Sequence, residues 1–203
     1  MKLKNPLFIL ALVLAIAPAF LSNAALAGDK VKDFKPDPRR DEKNTYDEKS
    51  IVDVTSDFLG AGSGAVAKVV EKVFSDLGRP NGYILGSEGS GAIGVGLRYG
   101  DGNLQHKIEG EQRVFWTGPS IGFDIGGNAS RVVILVYDLY DTEDLFHRYP
   151  AVEGSFYWIG GIGVNYNQRG HVILAPIRVG VGLRAGVNIG YLSYSKTRKW
   201  IPF

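Results

Sequence analysis

The sequence predicts an α+β fold, mainly β, in which two helices precede strands that close into a small antiparallel barrel or a strongly coiled sheet. Three observations carry that expectation. Apolar residues between 50 and 78 recur at helical spacing. From Asn81 onward the chain becomes short apolar and Gly-rich runs separated by turn residues. Within one of those runs the glycines fall on a single face.

The N-terminus is set aside first. Lys2 and Lys4 form a basic start, PLFILALVLAIAPAFL is apolar, and Ala25-Leu26-Ala27 is a small-residue cleavage site, so residues 1–27 read as a cleaved signal peptide. The chain has no cysteine, hence no lipid-attachment site behind the signal and no disulfide framework. A periplasmic protein is expected. Residues 28–49 (GDKVKDFKPDPRRDEKNTYDEK) are mostly charged and read as a flexible arm, a spacer or a docking peptide. Residues 50–203 are left as one domain, long enough for a core. Removing Lys2 and Lys4 from the net charge of +2 leaves a neutral mature chain. That argues against nucleic acid, whose phosphates need clustered Lys and Arg. The cluster Lys196, Arg198 and Lys199 reads as a solvated chain end.

Ser50 is the expected cap of IVDVTSDFLG, with Asp53 completing an acidic variant of the capping box. In AVAKVVEKVFSDLG, the residues Val66, Val69, Val70, Val73, Phe74 and Leu77 lie at spacings of three and four, and Gly78 ends the helix. Lys68, Glu71 and Lys72 fill its other surface. It is expected to cover a sheet rather than a membrane.

The candidate strands are GYILGS, AIGVGLRYG, LQHKIEG, QRVFWTG, SIGFDIG, SRVVILVYDL, GSFYWIGGIGVNYN, HVILAPIRVGVGLRA and GVNIGYLSYSK. Turns are expected at GDGN (100–103), GGN (126–128) and NQRG (167–170), and DTEDLFHRY reads as a short helix at a barrel end. In RVGVGLRAGVNIGYL, Gly180, Gly182, Gly186 and Gly190 share one face, with Arg178, Arg184 and Asn188 among them, while the other face is apolar. Gly94 and Gly96 repeat the pattern beside Arg98. Interior glycine weakens a strand, so the pattern predicts sharp curvature and close backbone approach, with the helices against or inside a tight barrel.

Two motif matches lack their context. GSGAIG (89–94) fits G-x-G-x-x-G, with Glu111 where a ribose-binding acid would stand, but VGLRYGDGN continues as a strand where a helix is needed. GPSIG (118–122) fits G-x-S-x-G around Ser120, and Asp138 and His171 follow in order. The continuation FDIGG again is no helix. His106, His147 and His171 are too scattered for a metal set, and Asp141, Glu143 and Asp144 read as helix-start acids. Phe115, Trp116, Tyr157 and Trp158 read as core before they read as a ligand slot. No enzymatic activity, cofactor or metal is expected. An integral outer-membrane barrel ending on Phe203 is a further alternative. Pro202 and the KTRK run interrupt that segment, and aromatic girdles are missing.

The runs GRPNGYILGSEGSGAIGVGLRYGDG, VFWTGPSIGFDIGG, LVYDL, EGSFYWIGGIGV and APIRVGVGLRAGVNIGYL, spread over residues 50–203, closely resemble the envelope integrity protein A family. The resemblance implies a closed antiparallel β-barrel of about ten strands with a central helix, soluble in the periplasm, and a role in keeping the envelope intact without a known reaction. It carries over no catalytic or ligand residue. WTGPSIGFDIGG at 116–127 with RVVILVYDL is also similar to part of the lipid-binding SYLF domain.

The expected function is therefore a non-enzymatic periplasmic barrel that supports the envelope by contact with a lipid, glycan or protein, with peripheral membrane contact among the options. In one version the barrel is filled by its own helix and acts through its outer surface and rim. In the other, a cleft between helix and barrel holds an acyl chain, with Lys68, Arg98, Arg178 or Arg184 holding an anionic head group and Trp116 in the slot. The plain alternative for these cations is solvation or an ion pair with Glu71 or Asp124.

Overall fold

The computed structural model describes residues 41–124, 130–179 and 190–199. The signal segment, most of the arm and Arg184 lie outside them. Part of the stretch read as a flexible arm is regular structure. Glu42–Asn44 form a 3-10 turn capped by Asp41, and the Tyr46 amide donates to Pro80 O at 2.8 Å. Helix α1 spans Glu48–Leu59, so a domain boundary at residue 50 falls inside it. Its cap is Asp47, which accepts from the Ser50 amide at 2.9 Å and the Ser50 hydroxyl at 2.7 Å. Ser50, the expected cap, is thus the donor. Asp47→Ala is expected to lower the melting temperature followed by circular dichroism, and Asp47→Asn to restore most of it, since either side chain can accept at this position.

Helix α2 spans Ser63–Leu77 and stops at Gly78, as its spacing predicts. Val66, Val69, Val70 and Val73 are fully buried, as is Ile51 of α1. Burying each such side chain contributes about 1.5–3 kcal/mol. Their counterparts are Val133, Leu135, Tyr137, Ile162, Val164, Ile173 and Ile177 on one face of the sheet.

The strands are β1 (Gly82–His106), β2 (Gly110–Asp124), β3 (Ser130–Tyr137), β4 (Arg148–Pro150), β5 (Tyr157–Ile159), β6 (Ile162–Val164), β7 (Asn167–Arg169), β8 (Val172–Val179) and β9 (Tyr191–Ser195). They form one antiparallel sheet in the order β4-β9-β2-β1-β3-β8-β6-β5, with β7 also on β8. Strand β1 doubles back: its first part pairs with β3 and its second with β2. The Lys107 amide donates to Asn81 O at 3.0 Å, and Gly86 lies against Asp101 and Gly102. GDGN at 100–103 is therefore strand, and the turn comes at 107–109, before Gly110. The 3-10 turn Thr142–Leu145 realises the short helix expected in DTEDLFHRY. Gly160 and Gly161, at φ 57° and 84°, make the tight β5–β6 turn, and Gly160 also leaves room for Ala65 of α2.

The second face of the sheet packs on itself. Ile84, Leu104, Val114, Trp116, Ile134, Leu174, Leu192, Tyr194 and Tyr149 come from six strands and form one cluster. Only a curled sheet brings them together. Among the described residues the curl is a nine-stranded half-barrel and not the expected closed barrel of about ten strands. A seam beside β4 and β7 carries one isolated bridge, Ala151 to Asn167, and the Val152 amide donates there to Tyr166 O at 2.9 Å. The helices lie across the outer face. Of the two expected placements, inside or across, the helices take the second; among the described residues the inside is filled by side chains, which corrects the central helix that the resemblance implied.

Candidate functional site

Inside the half-barrel, three of the residues singled out as ligand candidates meet around a carboxylate that the sequence did not single out. Glu88, on the first part of β1, is 7% exposed. Arg178 of β8 reaches it with Nε at Oε1 and with Nη2 at Oε2, the latter at 3.1 Å. Arg98 of β1 brings its Nε to 3.8 Å from Oε1, and Trp116 of β2 donates its indole N–H to Oε2 at 3.2 Å. The register explains the meeting. Trp116 stands opposite Gly100 on β1 and Tyr194 on β9, while Arg178 stands opposite Val132, so all point inward.

The glycines make room for the indole. A β-carbon on Gly100 would collide with the Trp116 ring, and one on Gly86 would lie 2.5 Å from Asp101 O and 2.6 Å from that ring. Close backbone approach is seen at Gly86, Gly100 and Gly102, which the sequence reading did not single out for it. The alternating glycines 180–186 lie outside the described residues.

From Arg178 the polar network continues around the curl. Its Nη1 donates to Asn165 Oδ1 at 3.1 Å, Asn165 Nδ2 to Asn167 Oδ1 at 3.2 Å, and Asn167 Nδ2 to Tyr149 O at 3.3 Å. A chain of hydrogen bonds thus runs from β2 to β4 and ends on the seam. Burial alone would push the Glu88 carboxyl up. The guanidinium groups of Arg178 and then Arg98, with hydrogen bonds from Arg178 and Trp116, outweigh it and bring it down to about 2. Burial pushes the Tyr194 phenol well above its usual range.

Lys68 takes no part. It is exposed on α2, on the other side of the sheet. Glu71 is likewise exposed on α2, and the side chain of Asp124 lies outside the described residues. The interface between α2 and the sheet is filled by the buried valines and their counterparts. GSGAIG lies wholly within β1 and GPSIG within β2, so neither opens a helix. His106 Nδ1 accepts from the Glu109 amide at 3.0 Å, which leaves its Nε2 to donate to Leu139 O at 2.8 Å, a structural tie. Among the described residues, no three His, Asp or Glu side chains form a metal-binding group.

A curled antiparallel sheet with an outer helical layer and a packed inner face places the chain among β-barrel-like proteins. It is similar to the crystal structure of a β-barrel-like protein from Brucella abortus, with 51% identity, 79% of this chain and 99% of that chain covered, and a TM-score of 0.73. The chain belongs to the envelope integrity protein A family, whose model matches residues 44–203 and whose name records a role in envelope integrity. No curated protein matches it. No helix among the described residues is long and apolar enough to cross a membrane.

Proposed function

We propose that the chain is a non-enzymatic exported protein of the periplasm that supports the envelope through contact with an envelope lipid, glycan or protein, made by its outer surface and rim. The observation that carries this reading is the inner face: Trp116, Tyr149, Leu104 and Ile134 are fully buried against one another, so the half-barrel is occupied by its own side chains. An outer-membrane barrel turns an apolar outside to lipid, whereas here the apolar outer face of the sheet is covered by α1 and α2. Crosslinking in intact cells followed by identification of the captured partner is the test. The expected result is a protein released in the detergent-free periplasmic fraction and crosslinked to an envelope component. Recovery only from detergent-extracted membranes would sink the reading, as would hydrolysis of generic acyl esters that Ser120→Ala abolishes.

A lipid-binding role is the second reading, favoured by the meeting of Arg98, Arg178 and Trp116 at Glu88. It expects lipid enriched in extracts of the purified protein over a control periplasmic protein, measured by mass spectrometry.

A further inference from the structure

We propose that strand β5 is a docking edge, where an extended apolar segment of another envelope protein adds to the sheet as a further strand. This rests on the reading that the chain works by contact at its rim, and it names the kind of partner. The two ends of the sheet are built differently. Strand β4 carries Arg148 and Pro150, residue types that keep an edge from pairing, and it lies beside the seam. Strand β5 pairs with β6 alone among the described residues, and residues 156–159 include neither proline nor charge. The register fixes what this edge offers. Gly160 and Gly161 close a two-residue turn, so Ile159 and Ile162 form the hydrogen-bonded pair beside it, and Tyr157 and Val164 the next. The N–H and C=O of Trp158, between them, point away from β6.

Phe156 and Trp158 are 41% and 43% exposed, and Gly163, opposite Trp158, has no side chain to cover its ring. The other face of β5 is held. Tyr157 and Ile159 pack against the core under α2, Lys72 lies 4.2 Å over the Tyr157 ring, and Gly160 sits against Ala65. The edge is therefore in strand form before a partner arrives. Charge and area select the occupant. Glu153 is the one charged residue between 151 and 167, so an anionic bilayer gains no attraction here. Two copies joined through β5 would bury the exposed ring surface twice, roughly 350 Å² in all. That is well short of the roughly 1,200 Å² of a stable interface. A sugar needs polar side chains around the rings, and Gly160, Gly161, Ile162 and Gly163 supply none. Outward backbone groups beside apolar rings match a strand. The partner is a larger body that reaches β5 with one segment and makes the rest of its contact elsewhere on the rim.

The test places photoreactive p-benzoylphenylalanine at position 156 of the full chain in intact cells and maps the crosslinked peptide by mass spectrometry. Position 108 is the control, since Ile108 is 63% exposed in the 107–109 turn. The expected result is a crosslink from 156, and not from 108, to an extended apolar segment of one envelope protein. Trp158→Pro removes the edge N–H and Trp158→Lys puts a charge on the edge. Each is expected to lower the yield about tenfold, with folding checked by circular dichroism. If the proline variant does not fold, the lysine variant decides, and if neither folds the mapped segment does. Crosslinks only to a second copy, to lipid or to glycan would overturn the proposal. So would equal yields from 156 and 108, a yield unchanged in a folded variant, or a mapped segment rich in charge or proline. Capture of a partner from other surface positions but not from 156 overturns the docking edge and leaves the proposed function standing. Capture from no position removes both.

Discussion

Arg178→Met is expected to destabilise the protein by about 3 kcal/mol in urea unfolding at neutral pH, because it leaves the Glu88 carboxylate in the interior without its two-pronged partner. Arg98 and Trp116 remain on that carboxylate, which keeps the loss at the lower end for a broken buried pair. Arg178→Lys should fall between, since one ammonium cannot serve both carboxylate oxygens and Asn165. The pH dependence separates the ionic explanation from simple loss of packing. With its folded pKa down at about 2 against an ordinary 4.5, Glu88 contributes stability that is fully present above about pH 4.5. That contribution is lost as pH falls from there towards 2. In Arg178→Met the effect of burial is less opposed, so the Glu88 carboxyl moves up and is protonated in the fold at higher pH. The gap between wild type and variant should therefore narrow as pH drops through this window. A gap that stays constant from pH 7 to 3 would refute the ionic account.

Gly86→Ala is expected to lower stability by about 3 kcal/mol, with Gly100→Ala close behind, measured by chemical unfolding. At Gly86 the new methyl meets Asp101 O and the Trp116 ring, and at Gly100 it meets the same ring, whose residue is fully buried. Neither neighbour has open space to move into. Gly89→Ala, with nothing within 4 Å of the added carbon, is the control and should change stability little. Equal effects at all three positions would mean that backbone freedom, and not crowding around the indole, explains these glycines.

The two helices were legible because a periodic apolar face is a local property: Val66, Val69, Val70, Val73 and Leu77 announce it without reference to the rest of the chain. GDGN was misread for a related reason. Gly100 and Gly102 look like turn residues in one dimension, whereas in space they clear room for Trp116 and for the Leu85 backbone. The cap was misplaced by three residues because Asp47 and Ser50 are both good capping types, and the hydrogen bond decides between them. Arg98, Arg178 and Trp116 stood out as cations and an aromatic among glycines. Glu88 did not, since a single carboxylate has no spacing signature and its partners lie 10 to 90 residues away. Register brings them together, and register follows from how far β1 doubles back.

The position of β9 has a consequence in time. It is not an edge: it lies between β4 and β2, pairing Ser193 with both Thr117 and Arg148. Residues 191–195 therefore join the edge strand β4 to the rest of the sheet, against a strand some 80 positions earlier. Such distant pairing slows folding. Until β9 docks, the facing edges of β2 and β4 stay unpaired and the curl cannot tighten. Strand β9 is thus the clasp that holds β4 to β2.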